Sequence, residues 1–236
     1  MDFFISTKNR TDKEELMDDF SIGGDLLRDT LDKLENINRW LGGNLMTVKA
    51  LKKVLKNHPK EQELTIADIG CGHGDILRDV AKFGRKNGYK MKLIGMDANP
   101  TAIAYANELS TEFPELSFKT EDIFSEAFKN RKFDVVLATL FLHHFKEAQL
   151  VSFLGNTLKQ TKIGIVVNDL HRHKLAYYLF MLLSVFIKNN MIIEDGLTSV
   201  LRGFKRNELA HISKKLKVKP QISWKWAFRF QWILKY

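Results

Sequence analysis

One stretch, Ile66-Ala67-Asp68-Ile69-Gly70-Cys71-Gly72-His73-Gly74-Asp75, decides the fold of this 236-residue chain. The apolar, β-branched run that leads into it, Leu64 to Ile69, predicts a strand buried on both faces. Directly after it, apolar residues recur at helical spacing and predict a helix: Ile76, Leu77, Val80, Ala81 and Phe83. Strand, glycine-rich turn and helix together form the first crossover of a doubly wound α/β sheet, in which ligands bind at the turn.

The spacing of the glycines favours a ligand without a pyrophosphate. A dinucleotide fingerprint reads G-x-G-x-x-G, whereas here the third glycine, Gly74, comes one residue early and Asp75 stands in its place. The carboxylate of Asp68, just before the turn, would also repel a pyrophosphate. A cationic or zwitterionic ligand such as S-adenosylmethionine, which has an α-amino group and a sulfonium centre, fits this turn better.

The stretch resembles the first motif of class I S-adenosylmethionine-dependent methyltransferases, D/E-x-G-x-G-x-G, which Asp68, Gly70, Gly72 and Gly74 match position for position. The resemblance continues in the right order of motifs to residue 236. It implies a Rossmann-like, doubly wound seven-stranded α/β sheet whose last strand is antiparallel. Residues 61–236 would form the catalytic domain and residues 1–60 an N-terminal helical extension that acts as a lid. S-adenosylmethionine would be the cofactor and S-adenosylhomocysteine its product.

Two further acids follow predicted strands. Asp97 closes a second strand, Met91 to Met96, where an acid can accept both ribose hydroxyls of a nucleoside cofactor; a helix N-cap is the alternative role. The resemblance places Asp122, after a third strand, against the adenine amino group and the Ile123 N–H near the ring. The expected cofactor-binding residues are therefore Asp68, Gly70, Cys71, Gly72, Gly74, Asp97, Ala98, Asp122, Ile123 and Thr139.

The fourth predicted strand, Phe133 to Ala138, leads into Leu142-His143-His144-Phe145, which is similar to the family's fourth motif. A histidine here can take a proton from a phenol or hydroxyl as its oxygen attacks the methyl donor. His143 and His144 are equal candidates for this base; the alternative is that they cap the next helix or pack in the core. Relatives that methylate exocyclic amines of bases carry an Asn/Asp-Pro-Pro-aromatic turn here, and its absence disfavours a nucleic-acid substrate.

A fifth strand, Lys162 to Val167, leads to a polar cluster that is expected to face the same crevice. His171 is a third candidate base there, and Asp169 and Arg172 are candidate substrate ligands, although Asp169 is equally suited to cap the next helix. Arg39 is a further substrate candidate, from a segment reminiscent of relatives found in polyketide or aromatic-lipid pathways. His171 and His173 with Asp169 have metal-ligand spacing, but no second ligand cluster accompanies them, so no metal site is predicted.

The remaining segments predict the following elements. Residues 11–57 are read as helical, with a break at Gly42-Gly43 and Asn44 as the cap of the second helix. The longest apolar run, Leu175 to Ile187, is shorter than the ~20 residues of a membrane span. It is interpreted as a buried helix that forms one wall of an apolar pocket, with peripheral membrane contact as the alternative. Residues 196–204 are expected to form an irregular insertion, and the chain to end in a β-hairpin.

Composition limits the class of protein and its expected location. With 44% hydrophobic and 28% charged residues, the chain is typical of a globular protein. The single cysteine excludes an intrachain disulfide, and with no secretory signal at residues 1–10 this favours a reducing, cytoplasmic location. The net charge of +9 is concentrated after residue 201, where a basic surface could attract nucleic acid, anionic lipid or an acidic protein; a solvated face is the favoured interpretation.

These patterns predict an S-adenosylmethionine-dependent methyltransferase that acts on a small aromatic or lipophilic substrate, with O-methylation of a hydroxyl or carboxyl group favoured. Two alternatives stay open. One is an RNA or protein methyltransferase that uses the basic C-terminal segment. The other is a non-catalytic module that binds S-adenosylmethionine and works through partners.

Overall fold

The computed structural model describes residues 5–235, so the first four residues of the predicted extension and the last residue of the predicted catalytic domain lie outside the described part. Seven strands form one sheet in the order β3-β2-β1-β4-β5-β7-β6. Strands β1 to β5 are parallel, and β7 is antiparallel to both β5 and β6. This confirms the predicted doubly wound sheet. The strands are β1 (Leu64–Ile69), β2 (Met91–Asp97), β3 (Leu116–Thr120), β4 (Phe133–Thr139), β5 (Thr161–Leu170), β6 (Gln221–Lys225) and β7 (Arg229–Leu234).

Helices cover both faces of the sheet. One apolar core lies between the sheet and α6 and α9, and a second lies between the sheet and α2 and α3. The strands that follow β1 and β4 in the chain are added toward opposite edges of the sheet. A crevice therefore opens between the carboxyl ends of β1 and β4. The helices are α1 (Gly24–Trp40), α2 (Gly43–Val54), α3 (Asp75–Asn87), α4 (Pro100–Leu109), α5 (Glu126–Lys129), α6 (Glu147–Gln160), α7 (Lys174–Ser184), α8 (Asn190–Arg202) and α9 (Arg206–Lys215).

The N-terminal extension is less helical than predicted. Residues 11–23 contain one 3₁₀ turn, Leu16–Asp18, and otherwise run outside regular structure. The prediction that Asn44 caps α2 is wrong, because Gly42, in a left-handed conformation (φ 76°), is the cap and the helix starts two residues earlier. Asn44 therefore lies inside α2, where its side chain donates to the carboxylate of Asp75.

Two predictions about the segment after β5 are wrong. Helix α7 has no buried residue, and beyond its end Val185 is 77% and Phe186 81% exposed, so it is not the buried helix that was predicted, although its Phe180 lines the cavity described below. The expected irregular insertion at 196–204 is mostly part of α8, because the Asn189 side chain caps that helix and Gly203 follows its last residue. Within residues 5–235, no helix combines the length and the hydropathy that crossing a membrane requires.

Candidate active site

The glycine loop after β1 has the conformation that its residues predict. Gly70 has φ +67°, and a Cβ atom there would lie 2.2 Å from the ring of Phe141. Gly74, with φ +81°, caps α3, and a Cβ there would lie 2.6 Å from Phe118. Larger residues would therefore strain the backbone and clash with a neighbouring ring, so glycine is required for the loop to lie this close to β4 and β3.

Three carboxyl groups surround this loop. Asp68 is buried, its Oδ1 has no hydrogen-bond partner, and burial together with Asp75 and Asp97 raises its pKa well above the usual range. Asp97 accepts hydrogen bonds from the backbone N–H of Gly72 and of Asn99, both at 2.9 Å. No lysine or arginine in the described part of the chain pairs with Asp68 or Asp97. Asp68 and Asp97 are therefore left without a lysine or arginine counter-ion, which suits a cationic ligand beside them.

A cavity of about 1830 Å³ lies above the loop, at the carboxyl ends of the strands. The thiol of Cys71 at its edge is buried, and burial raises its pKa well above the usual range, so the thiol is unreactive. Gly74 is the one predicted cofactor residue that does not line the cavity, because it caps α3. The others all line it: Asp68, Gly70, Cys71, Gly72, Asp97, Ala98, Asp122, Ile123 and Thr139.

The N-terminal segment covers this cavity. The 3₁₀ turn at Leu16–Asp18 is held on α8, where both carboxylate oxygens of Asp195 accept backbone N–H groups, at 2.7 Å from Leu16 and 3.0 Å from Met17. Arg10 donates to the backbone carbonyls of His143 and Phe145 on the other side. The segment thus connects α8 to the loop after β4 and encloses the space between them.

His143 is buried between two carboxylates. Its Nδ1 lies 2.7 Å from Asp169 Oδ1, and its Nε2 lies 3.5 Å from Glu15 Oε1. Burial by itself would lower the pKa of His143, but Asp169 and Glu15 outweigh burial and raise that pKa to about 9. Asp169 is fixed in turn, because its Oδ2 accepts the backbone N–H groups of Leu142 and His143. His143 therefore carries a proton at neutral pH.

His144 is half-buried and has a different partner. Its Nδ1 lies 2.6 Å from Asp18 Oδ1, and the other oxygen of Asp18 accepts from Arg202 at 2.7 Å. Burial would raise the pKa of Asp18, but His144 and Arg202 outweigh it and lower that pKa. When Nδ1–H donates to Asp18, the lone pair of Nε2 is left on the side of Glu15, whose Oε2 lies 3.9 Å away.

The donor atoms of Glu15, His143 and His144 all lie within 4.8 Å of one another, close enough to hold a metal ion, which the sequence did not indicate. Two arginines lie against the same group. Arg202 reaches within 3.8 Å of Glu15 Oε1, and both Arg202 and Arg10 donate to the carbonyl of His143. Their positive charges oppose a divalent cation, and the proton on His143 already balances Glu15.

His171 does not face the crevice as predicted. Side chains alternate at the end of β5, so that Leu170 lines the cavity and His171 points away from it. Its ring packs on Phe230, and its Nδ1 accepts from the indole N–H of Trp224 at 3.2 Å. Burial, followed by His173, lowers the pKa of His171 to about 4. The imidazole is thus neutral but separated from the cavity.

The three predicted substrate residues also lie elsewhere. Arg172 is fully buried, pairs with both oxygens of Glu208 and donates to backbone carbonyls, so none of its nitrogens is left for a substrate. Asp169 lies beneath His143, and His173, not Asp169, caps α7. Arg39 pairs with Glu35 and Asp79 and does not line the cavity.

Several charged residues of the cavity lining were not indicated by the sequence, among them Glu15, Asp18 and Arg229. Glu15 and Asp18 lie in a segment without regular periodicity, so no pattern indicated that it folds back over the sheet. Arg202 lies in the segment expected to be an irregular insertion, but it is the last residue of α8 and is buried against the histidine loop.

The sequence of the chain is similar to those of known methyltransferases. A family model described as "Methyltransferase domain" matches residues 60–196, more than half of the chain. The ubiquinone biosynthesis O-methyltransferase of Rickettsia canadensis (strain McKiel) is 28% identical over 141 residues, which are 58% of this chain and 56% of that protein. The chain thus spans about half the length of the curated relatives it matches.

Solved structures share the fold over most of the chain. The plantazolicin methyltransferase BpumL in complex with S-adenosylhomocysteine superposes with a TM-score of 0.67 at 16% identity, covering 90% of this chain and 91% of that one. The magnesium protoporphyrin IX methyltransferase (ChlM) of Synechocystis PCC 6803, also with bound S-adenosylhomocysteine, gives 0.57 at 14% identity, covering 85% and 87%. At such identities the likeness establishes the fold alone.

Proposed function

We propose an acceptor class for this chain, which belongs to the class I S-adenosylmethionine-dependent methyltransferases. In this proposal it transfers the methyl group of S-adenosylmethionine to a small, lipophilic hydroxyl or carboxyl compound. The observation that carries this proposal is the loop beneath the cavity, where Asp68 and Asp97 converge and neither pairs with a lysine or arginine of residues 5–235. Of the common nucleoside cofactors, S-adenosylmethionine is the one that brings positive charge and no phosphate to such a place.

The residues around the loop fit this cofactor. The unpartnered Oδ1 of Asp68 is a free acceptor for an ammonium group, and Asp97 lies on the cavity lining at the end of β2, where it would hold the ribose hydroxyls. Asp122 and Ile123, also on the lining, would contact the adenine. When bound, S-adenosylmethionine supplies an electrophilic methyl group on a sulfonium centre. Residues 1–60 would act as the lid, with residues 61–236 as the catalytic domain.

His144 is the base that this geometry favours. Asp18 orients its ring through Nδ1, which leaves Nε2 to accept a proton from a substrate hydroxyl. His143 carries its own proton at neutral pH and would donate a hydrogen bond from the same side. Holding the attacking oxygen in line with the methyl group would supply roughly 7–11 kcal/mol of the reduction in barrier.

The enclosure of the cavity supports a small substrate over RNA or protein. Leucine side chains of α1 cover it from above, and Phe180 of α7 and Val200 of α8 close one side. A polymer would have to displace the N-terminal segment, whereas a lipophilic small molecule could lie beneath it. The lining of the covered part is mainly apolar, which suits an aromatic or aliphatic body.

The test is transfer of label from methyl-tritiated S-adenosylmethionine to a panel of phenols and aromatic or aliphatic acids. We expect labelled product with some members of the panel, and binding of S-adenosylhomocysteine in calorimetry. Tight cofactor binding without transfer to any acceptor would indicate the non-catalytic alternative. Binding of a nicotinamide or flavin cofactor in preference to S-adenosylmethionine would overturn the proposal.

A further inference from the structure

Arg229, the first residue of β7, is a buried cation without a partner. The residue is 3% exposed, and neither its Nε nor its Nη1 makes a hydrogen bond. No carboxylate in residues 5–235 lies within 4.0 Å of the guanidinium. A buried charge without a counter-ion costs several kcal/mol of stability, so a guanidinium left in this state is suited to a ligand that brings the missing charge.

The amino end of a helix lies against Arg229 and adds partial positive charge, and Asp169 is the acid whose charge acts in the opposite sense. A Cβ atom on Gly43, the first residue of α2, would lie 2.7 Å from Arg229 Nη1, so the guanidinium touches the amino end of that helix. Helix α2 has neither a side-chain cap nor an acid in its first turn. The positive end of its dipole therefore lies beside Arg229 without an acid from its own first turn. Burial lowers the pKa of Arg229 to about 10, although the charge of Asp169 opposes this, and the side chain stays charged at pH 7.

Arg229 lies on the side of the cavity away from the glycine loop. Strands β4 and β5 separate β7 from β1, so three strand spacings, roughly 14 Å, lie between the backbones of β7 and β1, and the guanidinium of Arg229 reaches from β7 to Gly43. Its register partner on β5, Leu170, also lines the cavity. A group bound at Arg229 would therefore belong to the methyl acceptor and not to the cofactor.

We propose that Arg229, together with the amino end of α2, binds a carboxylate of the acceptor substrate. This inference rests on the function proposed above and names the substrate class: a lipophilic acid that also carries a hydroxyl group. Hydrogen bonds from the guanidinium and the helix terminus occupy the lone pairs of this carboxylate, so it is not free to attack the methyl group. The carboxylate therefore anchors the substrate, and the separate hydroxyl receives the methyl group. A carboxylate offers two charged oxygens to these donors, whereas a neutral amide offers one uncharged oxygen.

The experiment is calorimetric titration of the full chain with 2-naphthoate and with its neutral counterpart 2-naphthamide, each with and without saturating S-adenosylhomocysteine. We expect the carboxylate to bind about tenfold or more tightly than the amide. In Arg229→Gln this preference disappears, while the affinity for the amide and for S-adenosylhomocysteine stays the same. The matched control is Lys225→Gln, which removes an exposed positive charge from the register partner of Arg229 on β6 and leaves the preference intact.

Three results would overturn the proposal: equal affinity for the two probes in the unaltered protein, a preference that survives in Arg229→Gln, or a variant that loses S-adenosylhomocysteine instead of naphthoate. The last would show that the guanidinium holds the carboxylate of the cofactor. If Arg229→Gln does not fold, Arg229→Lys replaces it, with a reduced but measurable preference expected. Absence of S-adenosylhomocysteine binding in the unaltered protein would refute the proposed function, whereas the naphthoate preference without cofactor tests Arg229 alone.

Discussion

The Nδ1 atom of His144 lies 2.6 Å from a carboxylate oxygen of Asp18, although 126 residues separate the two in the chain. The contact joins the N-terminal segment to the loop after β4, and it orients the histidine that we propose as the base. The first prediction concerns this pair.

His144→Ala should lower turnover by about 10²- to 10⁴-fold, because the base is lost, while binding of S-adenosylhomocysteine is retained. Asp18→Asn should lower turnover less, since the ring stays but is no longer oriented by a carboxylate. Turnover is followed with labelled S-adenosylmethionine and an acceptor from the panel. His211→Ala, an exposed histidine on α9, is the control. Full activity of His144→Ala would remove this residue from the mechanism.

Asp97→Ala should weaken the binding of S-adenosylhomocysteine about tenfold or more, because two charge-assisted hydrogen bonds to the ribose are lost. Calorimetry measures the affinity, and thermal unfolding checks that the loop held by Asp97 through Gly72 is still folded. Glu61→Ala, an exposed acid before β1, should leave the affinity unchanged. An unchanged affinity in the Asp97 variant would refute the ribose assignment.

The stability of the protein should fall between about pH 6.5 and pH 9. The pKa of His143 rises from its ordinary 6.5 to about 9 in the folded chain, so folding favours the protonated ring. This stabilisation is complete below pH 6.5, and it is lost as the pH rises through 9; its size is at most about 3 kcal/mol. Urea unfolding across this range measures it. His143→Gln should flatten the profile, and an equal slope in that variant would contradict the assignment.

Treatment with a chelator should leave both turnover and thermal stability unchanged. The group formed by Glu15, His143 and His144 holds a proton, and Arg10 and Arg202 oppose a divalent cation there. Activity before and after dialysis against EDTA is compared, with added Mn²⁺ or Zn²⁺ as the second arm. Loss of activity that either metal restores would identify the group as a metal centre.

Arg172→Gln should destabilise the fold by about 3 kcal/mol, because Glu208 loses its partner and several backbone carbonyls lose their donor. Denaturant unfolding measures the change. Lys214→Gln, an exposed residue of α9, should shift the free energy of unfolding by less than about 0.5 kcal/mol. A stable Arg172→Gln that binds the acceptor poorly would instead support the substrate role predicted from the sequence.

The parts that the sequence could predict are those with local patterns. The strand Leu64–Ile69 and the glycine loop were predicted because burial on both faces and positive φ angles each demand particular residues. Asp97 at the end of β2 follows from the same regularity. In each case the sequence within a few residues determines the structure.

The errors concern contacts between distant segments. Arg172 reads as a polar residue at the sheet edge, and only the position of Glu208 on α9 shows that it is buried in an ion pair. Helix α7 has the composition of a core helix, but no element covers its outer face in the described residues. No sequence pattern predicts that Glu15 lies in the cavity, because its position depends on how a non-periodic segment crosses the sheet. Tertiary packing decides such cases, and a single sequence does not encode it locally.

Glu15 is a counter-ion of His143, and it belongs to the segment that covers the cavity. If this segment stays displaced while a substrate is bound, the carboxylate is held away from the imidazole, and the pKa of His143 falls. Admission of the substrate and release of a proton are thereby thermodynamically linked. The apparent affinity for an acceptor should vary with pH even when the acceptor itself does not titrate.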